Sequence, residues 1–381
     1  MKANKISAII TNENEPAGLA LLTASRPLPA LFFDCKYRLM DFALSSVVNA
    51  NIRTLLMILN ERKIKSVFDH LGGSREWGLD SIGSYQYVNF YQDILRKKAE
   101  GKKYLANTIE FLQKSKSTYT VIMGSQMLCN IDLKAAVRIH KQRPEKMSVV
   151  FKREVQDKIA NEDQILEFGA DNRIIEHGRF SDVANKTDLY NLCMDIFIVD
   201  TEWLIEALYE GQENDAPASL IEFLVEQMTK IPTNGYEYTG YSSNIFDVKS
   251  YYQANMELLE PENFNELLFS SQKVITRTKN EVATYFSPES DVQSSHLATG
   301  SVIEGKLRRS FVSRRTSIKK DSDVEGAIIM ANGSIGEGAT VKYAILDKNV
   351  VISPGVKVIG TPDRPLIIPK DSCIVDDIYG G

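Results

Sequence analysis

The sequence predicts an α/β protein in two parts: a doubly wound, mostly parallel sheet wrapped by helices, then a left-handed parallel β-helix. Up to about residue 260, short apolar runs alternate with segments of helical period, which is the pattern of parallel strands joined by crossover helices. From about Gly300 onward, apolar residues recur every six positions, as in Ile318 to Val324, Ile335 to Val341, and Leu346 to Ile352 to Val358. That period belongs to a three-sided coil with one short strand per side. An antiparallel sandwich would instead show strict alternation broken by hairpin turns. The length, 381 residues, exceeds one ordinary core, so two domains are expected.

Ile6 to Ile10 reads as the first strand. Leu39 to Asn49 reads as a helix with Leu39, Phe42, Ala43 and Val47 on one face. Thr54 to Leu59 is a strand of almost wholly apolar side chains, as a strand covered on both faces should be. Lys65 to Leu71 suits a helix, Thr118 to Met123 a strand, and Leu133 to His140 a helix. Met147 to Phe151 and Met194 to Val199 read as strands, and helices around Glu202 to Tyr209 and Ser219 to Thr229 complete a first domain at 1–260. Ligands of open α/β sheets bind beyond the carboxyl ends of the strands, so the loops after Ile10 and Met123 face the expected cleft. Residues 261–286 are the expected linker, packed by Leu267, Leu268 and Phe269. In 287–381, Gly336-Glu337-Gly338-Ala339, Asp347-Lys348-Asn349 and Ser353-Pro354-Gly355 fill turns between the apolar positions.

Hydrophobic content of 43% and charged content of 25% are those of a soluble globular protein. A net charge of −5 argues against a general nucleic-acid binder. No apolar run reaches transmembrane length and no charged-then-apolar leader opens the chain, so no membrane partner is expected and the cytoplasm is the expected location. Cys35, Cys129, Cys193 and Cys373 lack metal-ligand spacing and read as reduced structural thiols. His70, His140, His177 and His296 also lack ligand-like spacing. No metal site is expected.

The first strand ends where a nucleotide-binding domain normally places a glycine-rich phosphate loop. Such a loop needs glycines for close backbone approach and a basic residue to offset the phosphate charge. Here Thr11-Asn12-Glu13-Asn14-Glu15-Pro16-Ala17-Gly18-Leu19 carries two glutamates, a proline without an N–H, and no cation.

Leu22-Thr23, Pro29-Ala30, Lys36-Tyr37-Arg38-Leu39-Met40-Asp41-Phe42-Ala43-Leu44-Ser45-Ser46 and Asn49 resemble the ADP-glucose pyrophosphorylases. So do Tyr236 to Tyr241, Ala254 to Leu259, and Ile345 to Val350 with Ile352, Pro354, Gly355 and Val356. The resemblance spans nearly the whole chain. It implies a sugar nucleotidyltransferase domain joined to a left-handed β-helix, working as a tetramer.

The departures from that family fall on its catalytic motifs. Glu13, Asn14, Glu15, Pro16, Ala17, Gly18 and Leu19 stand in place of Gly-Gly-x-Gly-x-Arg-Leu, and Leu28 replaces the phosphate-contacting lysine before Pro29. Gly124-Ser125 replaces the Gly-Asp whose carboxylate helps hold Mg²⁺. Ser242-Ser243-Asn244-Ile245-Phe246 replaces the motif carrying the second metal carboxylate. His177-Gly178-Arg179-Phe180 stands in place of the sugar-phosphate-binding Glu-Lys-Pro, and Asp195 replaces a glycine that admits the sugar. Loss of one transition-state donor typically costs on the order of a hundred- to a thousandfold, so no catalytic residue is assigned to this chain.

This pattern is similar to the non-catalytic, regulatory GlgD-type branch of the family. The resemblance implies a catalytic ADP-glucose pyrophosphorylase subunit as partner, with Mg²⁺ held by that subunit, and a sugar-phosphate effector. Arg26, Lys36, Arg38, Arg314 and Arg315 are the effector-binding candidates, the last two within a basic run with Lys306, Arg308, Arg309, Lys319 and Lys320. A solvated face is the plainer reading of that run. One alternative is an active, divergent nucleotidyltransferase recruiting Asp132 or Asp247 to its metal. Another is a hexapeptide acyltransferase, which needs a histidine in the β-helix coils, and none follows His296.

Overall fold

The computed structural model describes residues 6–13, 15–81, 83–184, 187–269, 272–279 and 281–380. Asn14 of the altered loop lies outside them. The chain packs as two compact units that are discontinuous in sequence. One takes the N-terminal strand, Phe42–Asn244 and Leu268–Ile275; the other takes Glu15–Asp41, Ile245–Leu267 and Thr276–Gly381. The consecutive segments 1–260, 261–286 and 287–381 read from sequence texture divide the chain differently.

The first unit is built on a nine-stranded sheet. Its central strand, Ile6–Asn12, pairs in parallel with Thr54–Leu59 on one side and Tyr119–Met123 on the other. Thr54–Leu59 pairs in parallel with Tyr85–Phe90. Tyr190–Asp200 runs antiparallel to both Tyr119–Met123 and Met147–Glu154, with a bulge between Cys193 and Ile196. The core holds Ile9, Leu56, Ile122, Val149 and Phe197, all essentially without solvent exposure. Helices Leu39–Asn49, Lys65–Leu71 and Leu133–His140 have the bounds that their apolar spacing predicts.

In the second unit, three parallel sheets stack as a β-helix that begins at Tyr285–Phe286 and ends at Ile378–Tyr379. Each coil lends one strand to each sheet, so Ser317 lies over Ser334 and Val324 over Val341. Ile303, Ile318, Ile335 and Ile352 form one buried column and Leu307, Val324, Val341 and Val358 another. Pro261–Leu268, within the expected linker, is helical. Among the described residues no helix is long and apolar enough to cross a membrane.

Candidate functional site

Two charged regions concentrate the positions singled out by the sequence. The first lies at the carboxyl ends of the strands Ile6–Asn12 and Tyr119–Met123. Ser125 donates its hydroxyl to Asn12 Oδ1 at 2.9 Å. Asn244 sits on the short strand Ser242–Asn244, paired with Met127–Cys129. Its amide donates to Asp163 Oδ2 at 2.5 Å and its carbonyl accepts from Gln126 Nε2 at 2.8 Å. The two positions that the sequence resemblance matches to metal carboxylates are thus neutral side chains bonded to neighbours.

Glu13 is buried, and its carboxylate accepts hydrogen bonds from Ser219 Oγ and Leu220 N at the start of helix Leu220–Gln227. A helix N-terminus is a natural anion site, so this glutamate is answered by the chain itself. Burial outweighs those hydrogen bonds and raises its carboxyl to about 7. Asp195 has φ of 54° at the bulge, and its Cβ lies 3.0 Å from where a Cβ on Gly124 would be. Desolvation first, then the charge of Asp163, pushes Asp195 up to about 7. Desolvation likewise raises Asp163 to about 6. Among the described residues, no group of three or more His, Cys, Asp or Glu side chains is placed to hold a metal ion.

Within the second unit, Pro16 precedes a short 3-10 turn, Ala17–Leu19. Gly18 packs so closely on Asp247 and Phe246 that a Cβ would come within 2.8 Å of Asp247 Cβ. Leu28 is buried at the start of the turn Leu28–Ala30. Asp247 caps helix Val248–Glu257 in a capping box with Ser250, and in the first unit Asp132 caps Leu133–His140. Both carboxylates proposed as substitute metal ligands are engaged as helix caps.

The second charged region is basic and gathers on the ring of Phe32. The guanidinium of Arg38 lies 4.1 Å from the ring centroid, the ammonium of Lys348 4.7 Å and the guanidinium of Arg26 5.9 Å. Arg26 is 2% exposed and pairs with Asp347 Oδ1 at 2.6 Å. Arg38, also buried, donates to the carbonyl of Ala30. Desolvation, reinforced by Arg38, Arg26 and Lys279 against Asp347, lowers the Lys348 ammonium to about 7. Lys279 is lowered by desolvation and by Arg314, Arg38 and Arg277, opposed by Glu281. Arg314 is lowered chiefly by desolvation, with Arg315 and Arg277 adding and Glu281 opposing.

The structure therefore brings Arg26, Arg38 and Arg314 into one field with Arg277, Lys279 and Lys348, which sequence reading missed. Arg315 is paired with Glu281 at 2.9 Å. Lys36 lies over the Tyr37 ring and acts electrostatically on Asp34. Much of the remaining basic run is paired: Arg308 with Asp291, Lys319 with Glu304. His296, given no role from sequence, bonds Asp34 at 2.6 Å. Arginines match phosphate oxygens bidentately and lysine supplies a point charge, so the Phe32 cluster has the chemistry of an anion site.

Residues 18–177 match the Nucleotidyl transferase family and residues 282–364 the GlmU-like, C-terminal hexapeptide family. Over 372 residues the chain is 26% identical to the glycogen biosynthesis protein GlgD of Bacillus subtilis (strain 168), covering 96% of both chains. Over nearly its whole length the chain is similar to this GlgD protein. It is also 25% identical over 368 residues to the glucose-1-phosphate adenylyltransferase of Bacillus cytotoxicus, covering 93% of this chain and 95% of that one.

Proposed function

We propose that this chain is a regulatory subunit of glucose-1-phosphate adenylyltransferase, which makes ADP-glucose and pyrophosphate from ATP and glucose 1-phosphate for glycogen synthesis. The likeness to glycogen-biosynthesis proteins supports the pathway. The observation that carries the regulatory reading is the replacement of both metal carboxylates by Ser125 and Asn244, each hydrogen-bonded to neighbours. Mg²⁺ prefers several hard, charged oxygens, and these neutral donors do not fit it. We assign the metal and the chemistry to a catalytic partner in a heterotetramer.

In this reading the Phe32 cluster receives a sugar-phosphate effector. Regulation requires that the effector bind one state of the complex more tightly than another. The test is an adenylyltransferase assay with Mg²⁺, ATP and glucose 1-phosphate, on this chain alone and mixed with a catalytic homologue. The expected result is negligible turnover alone, co-elution of the two proteins, and a changed rate or effector response in the mixture. Clear turnover alone rejects the non-catalytic reading. Separate elution with unchanged kinetics of the homologue rejects the regulatory one.

A further inference from the structure

A cavity in the first unit lies at the opposite end of the strands from Ser125 and Asn12. Ile6, Thr54 and Tyr85 begin three adjacent parallel strands, and all three residues line it. A strand rises about 3.3 Å per residue, so Ile6 and Asn12 are separated by roughly 20 Å. The cavity's volume, about 620 Å³, falls in the range of small-molecule sites.

Its lining combines rings with positive charge. Tyr85 and Tyr87 stand two apart on Tyr85–Phe90 and so share a face of the sheet. They are 58% and 38% exposed, although large aromatic side chains ordinarily gain by burial. Arg53, Lys114 and Lys116 also line the cavity, and among the described residues no acidic side chain does, in a chain of net charge −5. Arg53 is oriented by hydrogen bonds from Nη1 to the carbonyls of Trp77 and Gly78. Lys114 pairs with Glu110 on its own helix, Ala106–Ser115. Lysines at the end of a helix also offset its dipole, but that accounts for neither Arg53 nor the two exposed rings.

We propose that this cavity binds a phosphorylated, ring-bearing metabolite, its ring against Tyr85 and Tyr87 and its phosphate toward Arg53 and Lys116. Aromatic faces stack on nucleobases and on the apolar faces of sugars alike, so nucleoside and sugar phosphates share the required chemistry. The inference does not rest on the regulatory reading and holds equally for a catalytic chain.

The test uses the purified full-length protein and calorimetric titration with AMP, glucose 1-phosphate and inorganic phosphate. At least one of the two ring-bearing probes should bind saturably, and inorganic phosphate roughly tenfold more weakly. Tyr85→Ser and Lys116→Asn should each weaken the ring-bearing probe by roughly tenfold, while Lys102→Gln, at an exposed pair with Glu100, leaves it unchanged. Lys116 has φ of 50°, a conformation asparagine tolerates, so both variants should fold, as a thermal melt would verify. Preference for AMP identifies a nucleoside phosphate; preference for glucose 1-phosphate identifies a sugar phosphate. The proposal is overturned if neither probe saturates, if either cavity variant binds as tightly as the wild type, or if inorganic phosphate binds as well as both.

Discussion

The acidic cleft of the first unit and the basic cluster of the second respond to crowded charge in opposite ways. Burial raises Glu13 and Asp195 to about 7, while burial and like charge lower Lys348 to about 7. In the cleft the carboxylates meet donors from the chain: Ser219 and Leu220 for Glu13, and Ala160, Asn244 and Gln126 for Asp163. In the cluster, desolvation and then neighbouring cations lower Lys348, Lys279 and Arg314, with Asp347 and Glu281 as opposing carboxylates. Glu13 and Asp163 are answered largely by donors of the chain itself, whereas cations left in mutual repulsion would be stabilised by an anion from outside.

The largest expected effect comes from breaking the buried Arg26–Asp347 ion pair of the cluster. Arg26→Ala leaves Asp347 buried without its guanidinium, which typically costs about 3–5 kcal/mol. Denaturant unfolding should detect that loss, and Arg26→Met with Asp347→Asn should recover much of it. A loss below about 1 kcal/mol, the level of a surface pair, would mean the pair is peripheral to the unit.

Next comes Glu13, which tests whether the cleft is finished structure. Its folded pKa is raised, so its contribution to stability is fully present below the ordinary carboxylate value of 4.5 and is lost as pH rises through about 7. Glu13→Gln should flatten that decline and gain up to about 3 kcal/mol at pH 8. Thermal melts from pH 5 to 8 check it. A steeper decline in the variant would show that the carboxylate is needed ionised.

The cluster should show the reverse linkage. A bound anion raises the Lys348 pKa, so binding takes up a proton and tightens as pH falls. Sulfate, which keeps its charge over this range, should bind up to roughly tenfold more tightly at pH 6 than at pH 8. Lys348→Met should bind more weakly and without that dependence. Arg314→Glu should weaken binding severalfold, and Arg315→Glu less, because Arg315 already pairs with Glu281. Sulfate affinity that does not change with pH would remove Lys348 from the site.

The smallest effect is expected from repair of the cleft. Ser125→Asp restores one carboxylate while Asn244 stays neutral, and adenylyltransferase activity of the chain alone should remain near background. Substantial activity would mean that the cleft is merely mistuned.

Much of the fold was legible because burial imposes periodicity. Thr54–Leu59 is apolar since nearly every side chain of it is buried, and the columns through Ile318 and Val324 repeat because every coil repeats its sides. Tyr85–Phe90 escaped notice because this edge strand carries two exposed tyrosines beside polar Gln86 and Asn89. The β-helix was read from 287, while its first strand is Tyr285–Phe286, two exposed side chains that carry no burial signal. The neutral Ser125 and Asn244 could be read directly, but the inward turn of Glu13 could not, because its partners are more than 200 residues away. Lys348 looked like a turn residue between Asp347 and Asn349, and only the coil's position over Phe32 gives it a role.

The Arg26–Asp347 bond also sets an order in time. Its partners are 321 residues apart, yet they lie in the same compact unit. At a synthesis rate of about 5–20 residues per second, Arg26 emerges roughly 15–60 s before Asp347 exists. The segment Glu15–Asp41 is made first and can reach its final packing only near the end of translation. A chain cut off before Asp347 would hold that segment without its closing partner, so loss of the C-terminal coils would be felt at residues synthesised at the very start.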